Sequence, residues 1–317
     1  MNAIKKEPNG ILIVNKPAGM TSHDVVNAVR RIYKTRRVGH TGTLDPMASG
    51  VLVVLVGRAA KASEYVSHSS KKYRATLKLG ITTDTEDTTG AVLSSSDNIP
   101  SADEVIKVVG EFCGNIMQIP PMYSALKVGG KKLVDLAREG VVLERQARPI
   151  TVFDISCKPT DEASEFILDV HCSGGTYIRT LCADIGARLG CGGAMASLLR
   201  TEACGFSIDR SYTPDELREL DEEKLEEILI PTEKLFDDCP IVQLPAFYEK
   251  LCRSGCEIYQ SKIGTSHEVG RRVRLYGHKS VDNPSGFFAL GEVIAPESCK
   301  EAALGSAIKS IKMFSLE

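Results

Sequence analysis

Ile11 to Val14 form a short apolar run that stops at Lys16, Pro17, Ala18 and Gly19, so a strand leading into a tight turn is expected. Thr21 or Ser22 can cap a helix after that turn. Val25, Val26, Val29, Ile32 and Tyr33 then recur at helical spacing, with Arg30, Arg31 and Lys34 on the opposite, exposed side. Residues 39–50, GHTGTLDPMASG, hold too much Gly and Pro for a regular element and run straight into the apolar stretch Val51 to Val56. A loop delivered by a buried strand is the reading. In KKYRATLKLG, Tyr73, Ala75, Leu77 and Leu79 alternate with Lys72, Arg74, Thr76 and Lys78, the period of a half-buried strand whose other face is basic. A helix over 102–113, a Pro-rich loop at 119–122, a Gly129-Gly130 turn, a helix near 131–139 and strands near 149–157 and 165–172 follow. From Tyr177 onward, Ile178, Leu181, Ile185 and Leu189 mark an amphipathic helix ending at Gly190.

Helices and strands interleave without a βαβ rhythm, and there is no dinucleotide fingerprint. The fold class is therefore α+β: a mixed, largely antiparallel central sheet flanked by helices, with Val51 to Val56 inside it and the Gly-rich loop in a central cleft. Repeats with a solenoid period are absent from the sequence. Residues 213–238 carry eleven Asp or Glu against three Lys or Arg and read as a solvated helical connector. From Pro240 the grammar changes, to a helix near 245–254 and short strands such as RRVRLYG and GFFALGEVI. Two domains are expected, 1–238 and a small β-rich one over 239–317.

Composition narrows the function classes. At 317 residues, 43% hydrophobic and 25% charged, the chain has the balance of a folded globular protein and not of a disordered or fibrous one. No run approaches the ~18 apolar residues that span a bilayer, and the start MNAIKKEPNG lacks a signal-peptide core, so a cytoplasmic protein away from membranes is expected. The ten cysteines are scattered and read as reduced thiols; Cys252 and Cys256 make a metal-like pair without a second pair to complete it. Charge is uneven. Residues 1–80 hold eight Lys and six Arg against four acids, a net of +10, which suits a polyanion. Arg271, Arg272 and Arg274 offer either a second phosphate surface or a solvated strand face. Lys131 in VGGKKL lacks the P-loop frame, so no nucleotide cofactor is indicated.

Asp45 is the one acid of GHTGTLDP. Pro46 biases it toward extended geometry, and Gly39 and Gly42 allow close backbone approach. An Asp-Pro step in a loop is ordinarily a turn initiator. Here its surroundings matter: GHTGTLDPMASGVL resembles the signature of the TruB family of tRNA pseudouridine synthases, G-H-x-G-x-L-D-P-x-A-x-G-x-L, at all nine specified positions. The blocks KKYRATLKLG, TTDTEDTTG, IPPMYSALKVGGKKLVDLAREG and CSGGTYIRTLCADIGARLG follow in the family's order, so the resemblance spans about residues 10–205. The segment from Pro240 is similar to the PUA-type RNA-binding domain of bacterial members.

The resemblance implies Asp45 as nucleophile and Arg179 as its ion-pair partner, a pairing that keeps a carboxylate ionised in a closed pocket. It implies that Tyr73 stacks on the target base and takes the C5 proton, that Tyr177 and Leu198 line the uridine pocket, and that His40 fills the space left by the flipped nucleotide. Two departures stand out: AMASLLRT in place of the usual L-R-R around Leu198, and Gly174 where the family often has Lys. Asp24, in the first helical turn, complements the helix dipole. The implied activity is conversion of uridine to pseudouridine in the T-loop of tRNA, position 55. It needs no cofactor or metal, and the partner is tRNA through its T-loop and stem, met by a monomer. Two other readings share these residues: a guide-RNA-dependent synthase of the dyskerin type, and a non-catalytic RNA-binding or RNA-folding module. The intact set Asp45, Tyr73 and Arg179 weighs against the last.

Overall fold

A computed structural model describes residues 7–124, 126–141, 143–280 and 283–315. Strand Gly10–Lys16 pairs antiparallel with Ser49–Val56, so the two apolar runs meet residue for residue, from Gly10 opposite Val56 to Lys16 opposite Gly50. The short strand Val38–His40 pairs with the other edge of Ser49–Val56. The main sheet continues from Ser49–Val56 through Gly193–Ala203, Lys71–Leu79, Glu165–Cys172 and Arg148–Pro159 to Gly114–Gln118. Its pairings are antiparallel except where Ser49 and Gly50 meet Leu199 and Arg200. This is the expected mixed, largely antiparallel sheet.

Val51 to Val56 are 0% exposed because both faces of their strand are covered. Leu52, Val54 and Val56 pack with Val25, Val26 and Val29 of helix Ser22–Ile32. Val51, Val53 and Leu55 pack instead with Phe236, Tyr276, Phe287 and Phe314 from the C-terminal third. A strand buried on two faces has no polar face to alternate with, which is why the run is continuous. Farther along the sheet, Tyr73, Ala75, Leu77 and Leu79 pack with residues of helices Ala102–Gly110 and Ile178–Leu189. Helix Ser22–Ile32 starts in a capping box, Thr21 and Asp24 each satisfying the other's backbone N–H.

Several expectations need correction. Helix Ala102–Gly110 ends three residues before the expected 113. Arg30 is half-buried and donates to the Val38 carbonyl at 3.3 Å, so the exposed basic face of the first helix keeps Arg31 and Lys34. The basic face of Lys71–Leu79 is neutralised across the strands: Lys72 meets Glu202 at 2.9 Å, Arg74 meets Asp169 at 2.8 Å and Lys78 meets Glu165 at 3.2 Å. Pairs this exposed add little stability, but they remove the free charge a polyanion would use.

The acidic stretch is also not a solvated connector. It forms helices Pro214–Glu219 and Glu222–Glu227, whose Leu217 and Leu225 sink into the cluster with Val25, Val29 and Tyr33. Tyr33 Oη donates to the Leu225 carbonyl at 2.9 Å, and Ile11 and Ile230 exchange both backbone bonds. The acids lie on the outside of a packed cap.

The C-terminal part is β-rich as expected, a five-stranded sheet in the order Ile241–Gln243, Arg272–Tyr276, Phe287–Ile294, Ala307–Met313, Ile258–Tyr259, with helix Ala246–Arg253 alongside. Its arginine run is engaged at the junction with the rest of the chain. Arg274 pairs with Asp237 at 2.7 Å and donates to the Cys239 carbonyl, Arg271 donates to the Asp238 carbonyl, and Arg272 lies over the Tyr65 ring. The ten cysteines are free, and burial pushes Cys157, Cys172, Cys239 and Cys252 up to about 11.

If the acidic cap is part of the core, Leu217→Ala, at a position 0% exposed, should lower stability by about 2–5 kcal/mol in urea unfolding. A loss no larger than that of an exposed acid-to-amide change would restore the solvated-connector view.

Candidate active site

The loop between Val38–His40 and Ser49–Val56 is held on nearly every peptide. Gly19 N–H donates to the Pro46 carbonyl at 2.8 Å, and Ala48 N–H closes a turn onto the Asp45 carbonyl at 3.1 Å. The buried Ser22 hydroxyl accepts from Leu44 N–H at 2.8 Å and donates to the Leu44 carbonyl at 3.0 Å, so the residue before Asp45 is clasped from both sides. Leu44 itself is anchored in the cluster with Ala48, Tyr73, Ile178 and Leu198. Gly50 is required by geometry: its φ is +102°, and a Cβ would stand 2.2 Å from the Arg200 carbonyl oxygen of the adjoining strand.

Three buried cations surround this loop. Lys16 Nζ donates to the carbonyls of Met20, Pro17 and Pro46. Lys71 Nζ donates to those of Ser67 and Ser69, and Arg200 to those of Val51, Gly42 and Thr43. Among the described residues none of the three has an ion pair with a carboxylate. Burial pulls Lys16 down to about 8, opposed by the charge of Asp45. The surroundings of the loop are therefore positive, and an anion on it is favoured.

Asp45 meets that requirement. Its carboxylate lies 2.9 Å from Arg179 Nε, with the arginine side chain 6% exposed and the aspartate 38% exposed. Arg179 stands in the first turn of Ile178–Leu189 and uses its remaining donors on protein: Nη1 to the Thr85 carbonyl at 3.0 Å, Nη2 to the Tyr123 carbonyl at 2.8 Å. Asp87 Oδ2 lies 3.8 Å from Nη1, and Asp87 is oriented by Thr85 Oγ1 and the Thr89 N–H. The guanidinium is thus locked from behind while the carboxylate in front of it remains open. Gln118, 2% exposed, exchanges two hydrogen bonds with the Tyr177 backbone and so fixes the start of the helix that carries Arg179.

The other expected residues fall around this pair. Tyr73 and Leu198 share the cluster with Leu44, Leu198 opposite Ala75 and Arg200 opposite Tyr73. Burial raises the Tyr73 phenol, and the charge of Arg200 opposes it. Tyr177 is half-buried, its phenol also raised by burial. His40 stands apart from that cluster, half-buried at the other end of the loop, with Nδ1 lacking a hydrogen-bond partner among the described residues. Gly174 lies on the backbone of His68, where a Cβ would come within 2.7 Å, so no lysine could occupy it without moving that loop. Sequence reasoning missed Ser22, Thr85, Asp87, Gln118 and Arg200. TTDTEDTTG was the legible sign of the second and third of these. Among the described residues no group of three His, Cys, Asp or Glu is placed to hold a metal ion.

The family model described as "TruB family pseudouridylate synthase (N terminal domain)" matches residues 30–178, and that of the "tRNA pseudouridylate synthase B C-terminal domain" matches 179–237. A protein of Alkaliphilus oremlandii named tRNA pseudouridine synthase B is 47% identical over 273 residues, 86% of this chain and 90% of its own. One of the same name from Clostridium tetani is 40% identical over 270 residues, 84% of this chain and 92% of its own. Among solved structures, a chain of a Cbf5–Nop10–Gar1 complex superposes with a TM-score of 0.74 at 25% identity, covering 98% of this chain and 86% of that one. A chain of an H/ACA ribonucleoprotein bound to a substrate RNA containing 2'-deoxyuridine gives 0.71 at 23% identity, covering 96% and 85%.

Burial first, then the charge of Arg200, holds the His40 pKa below the ordinary histidine value of 6.5. The unfolded chain then binds the extra proton at higher pH than the folded one. His40 should contribute full stability above about pH 6.5 and lose it as pH falls toward its folded value. Imidazole NMR titration, assigned by a His40→Asn variant, should give a midpoint under 6.5; a midpoint at or above it would contradict this environment.

Proposed function

Because the chain belongs to the TruB family of pseudouridine synthases, we propose that it isomerises the T-loop uridine of tRNA, position 55, with Asp45 as nucleophile and the target base turned out of its stack. The observation that carries this reading is the asymmetry of the ion pair: an open carboxylate held at 2.9 Å by a guanidinium that is itself almost completely buried. A structural salt bridge has no need of such an exposed partner. A nucleophile has, since its free oxygen must reach a substrate while its charge and direction are kept.

The reaction breaks the bond from C1' to N1 and forms one from C1' to C5. C5 loses a proton and N1 gains one, so there is no net redox change and no cofactor is called for. Tyr73, whose ring shares the Leu44 cluster, is suited to stack on the uracil while it is detached and to take the C5 proton. Tyr177 and Leu198 would line the same pocket, and His40 would fill the gap in the RNA loop. Flipping costs a few kcal/mol, which phosphate contacts from the exposed Arg31 and Arg36 would offset in part. We assign residues 1–238 as the catalytic unit and 239–317 as an RNA-binding unit docked through Tyr276, Phe287 and Phe314. We assign the chain to the cytoplasm on the ground of the proposed tRNA substrate; among the described residues no helix is long and apolar enough to cross a membrane.

A guide-RNA-dependent synthase is the competing reading, favoured by the likeness to chains from Cbf5 and H/ACA assemblies. The 40–47% identity to proteins named tRNA pseudouridine synthase B favours the stand-alone enzyme. Incubating the purified chain with an unmodified tRNA transcript and mapping pseudouridine should give conversion at position 55 without added RNA. Conversion that appears only with a guide RNA, or at a different uridine, would overturn the assignment.

A further inference from the structure

We propose that Arg200 is a positioning residue for the isomerisation, a buried clamp that holds the leading side of the Asp45 loop in register with Tyr73. This rests on the function proposed above. Arg200 is 1% exposed and stands on the strand between those of Gly50 and Tyr73, paired with both. Its Nε donates to the Val51 carbonyl at 2.6 Å, Nη2 to Gly42 at 3.0 Å and Nη1 to Thr43 at 3.4 Å. One planar group therefore joins the point where the loop begins to the strand where it ends. The other backbone restraints act at Thr41, Leu44, Asp45 and Pro46, so Arg200 is the side chain that holds the Gly42 and Thr43 carbonyls between them.

Its chemistry argues for more than filling space. A buried guanidinium without a carboxylate is an expensive way to satisfy three carbonyls, and an apolar side chain with local turns is the usual solution. What the charge supplies is a fixed fork of donors and a positive field beside Tyr73 and His40, both of which feel it. Lysine keeps the charge but loses the fork; glutamine loses the charge. Buried as it is, Arg200 cannot reach RNA, so its effect should fall on the chemical step and not on affinity.

The test uses the full chain and a tRNA transcript, with single-turnover rates at saturating enzyme, tRNA affinity by filter binding and thermal unfolding for each variant. Arg200→Lys should stay folded, bind tRNA within about threefold of wild type, and react roughly 10- to 100-fold more slowly at saturation, the scale expected for an ångström-sized misplacement. Arg200→Gln should be slower still; if it does not fold, Arg200→Lys decides. Leu217→Ala, which weakens the fold away from the loop, is the control and should keep its saturated rate. A folded Arg200→Lys protein within threefold of the wild-type rate, or one whose loss lies in affinity, overturns the proposal. So does a slowing that Leu217→Ala matches. Wild-type protein that leaves the transcript unmodified would instead remove the function on which the proposal rests.

Discussion

A carboxylate can act on a substrate only if it is charged, aimed and open, and here those three demands meet at the contact between Arg179 and Asp45. The guanidinium is fixed by the carbonyls of Thr85 and Tyr123, which belong to two different loops, and by the helix that begins after Tyr177. Four parts of the chain thus converge on one group. Remove that convergence and Asp45 becomes an ordinary loop acid, free to turn toward water.

The sheet exists, in this light, to bring distant segments to one place. Strand Ser49–Val56 holds the end of the Asp45 loop and is itself buried on both faces. The parallel contact of Ser49 and Gly50 with Leu199 and Arg200 sets the loop beside the strand of Tyr73. Carbonyl-bound lysines and arginine around it complete the cage. Buried cations paired to peptide oxygens alone are costly, and the negative charge of Asp45 offsets part of that cost at Lys16, so loop and carboxylate stabilise one another.

Much of this was legible in the sequence, for identifiable reasons. Long apolar runs and strict alternation gave the strands at Val51 to Val56 and Lys71 to Leu79, and the spacing of Val25, Val26, Val29 and Ile32 after Thr21 and Ser22 gave the first helix. Strand Gly193–Ala203 was not legible, because Gly193, Ala194, Ala196 and Ser197 carry no hydrophobic period and two register shifts break the alternation. The acidic cap misled because its charges outnumber Leu217 and Leu225, the residues that decide its burial. The arginine run near 271 misled because local charge does not reveal Asp237 or the Tyr65 ring across the junction. At the site, Asp45 and Arg179 followed from motif resemblance, whereas Ser22, Gln118 and Arg200 act through backbone contacts that leave no chemical signature in a sequence.

The central claim is that the Asp45 carboxylate reacts and does not merely support the pocket. Asn keeps its size and hydrogen-bonding shape while removing the charge and the nucleophilic oxygen. The measurement is pseudouridine formation by Asp45→Asn at saturating enzyme, on protein shown to be folded and free of deamidation, with tRNA affinity determined in parallel. Product should be absent while affinity stays within about threefold, since binding comes from many phosphate and stacking contacts elsewhere. A folded Asp45→Asn enzyme that converts tRNA uridine at near the wild-type rate would contradict the claim and place the reacting group at another residue.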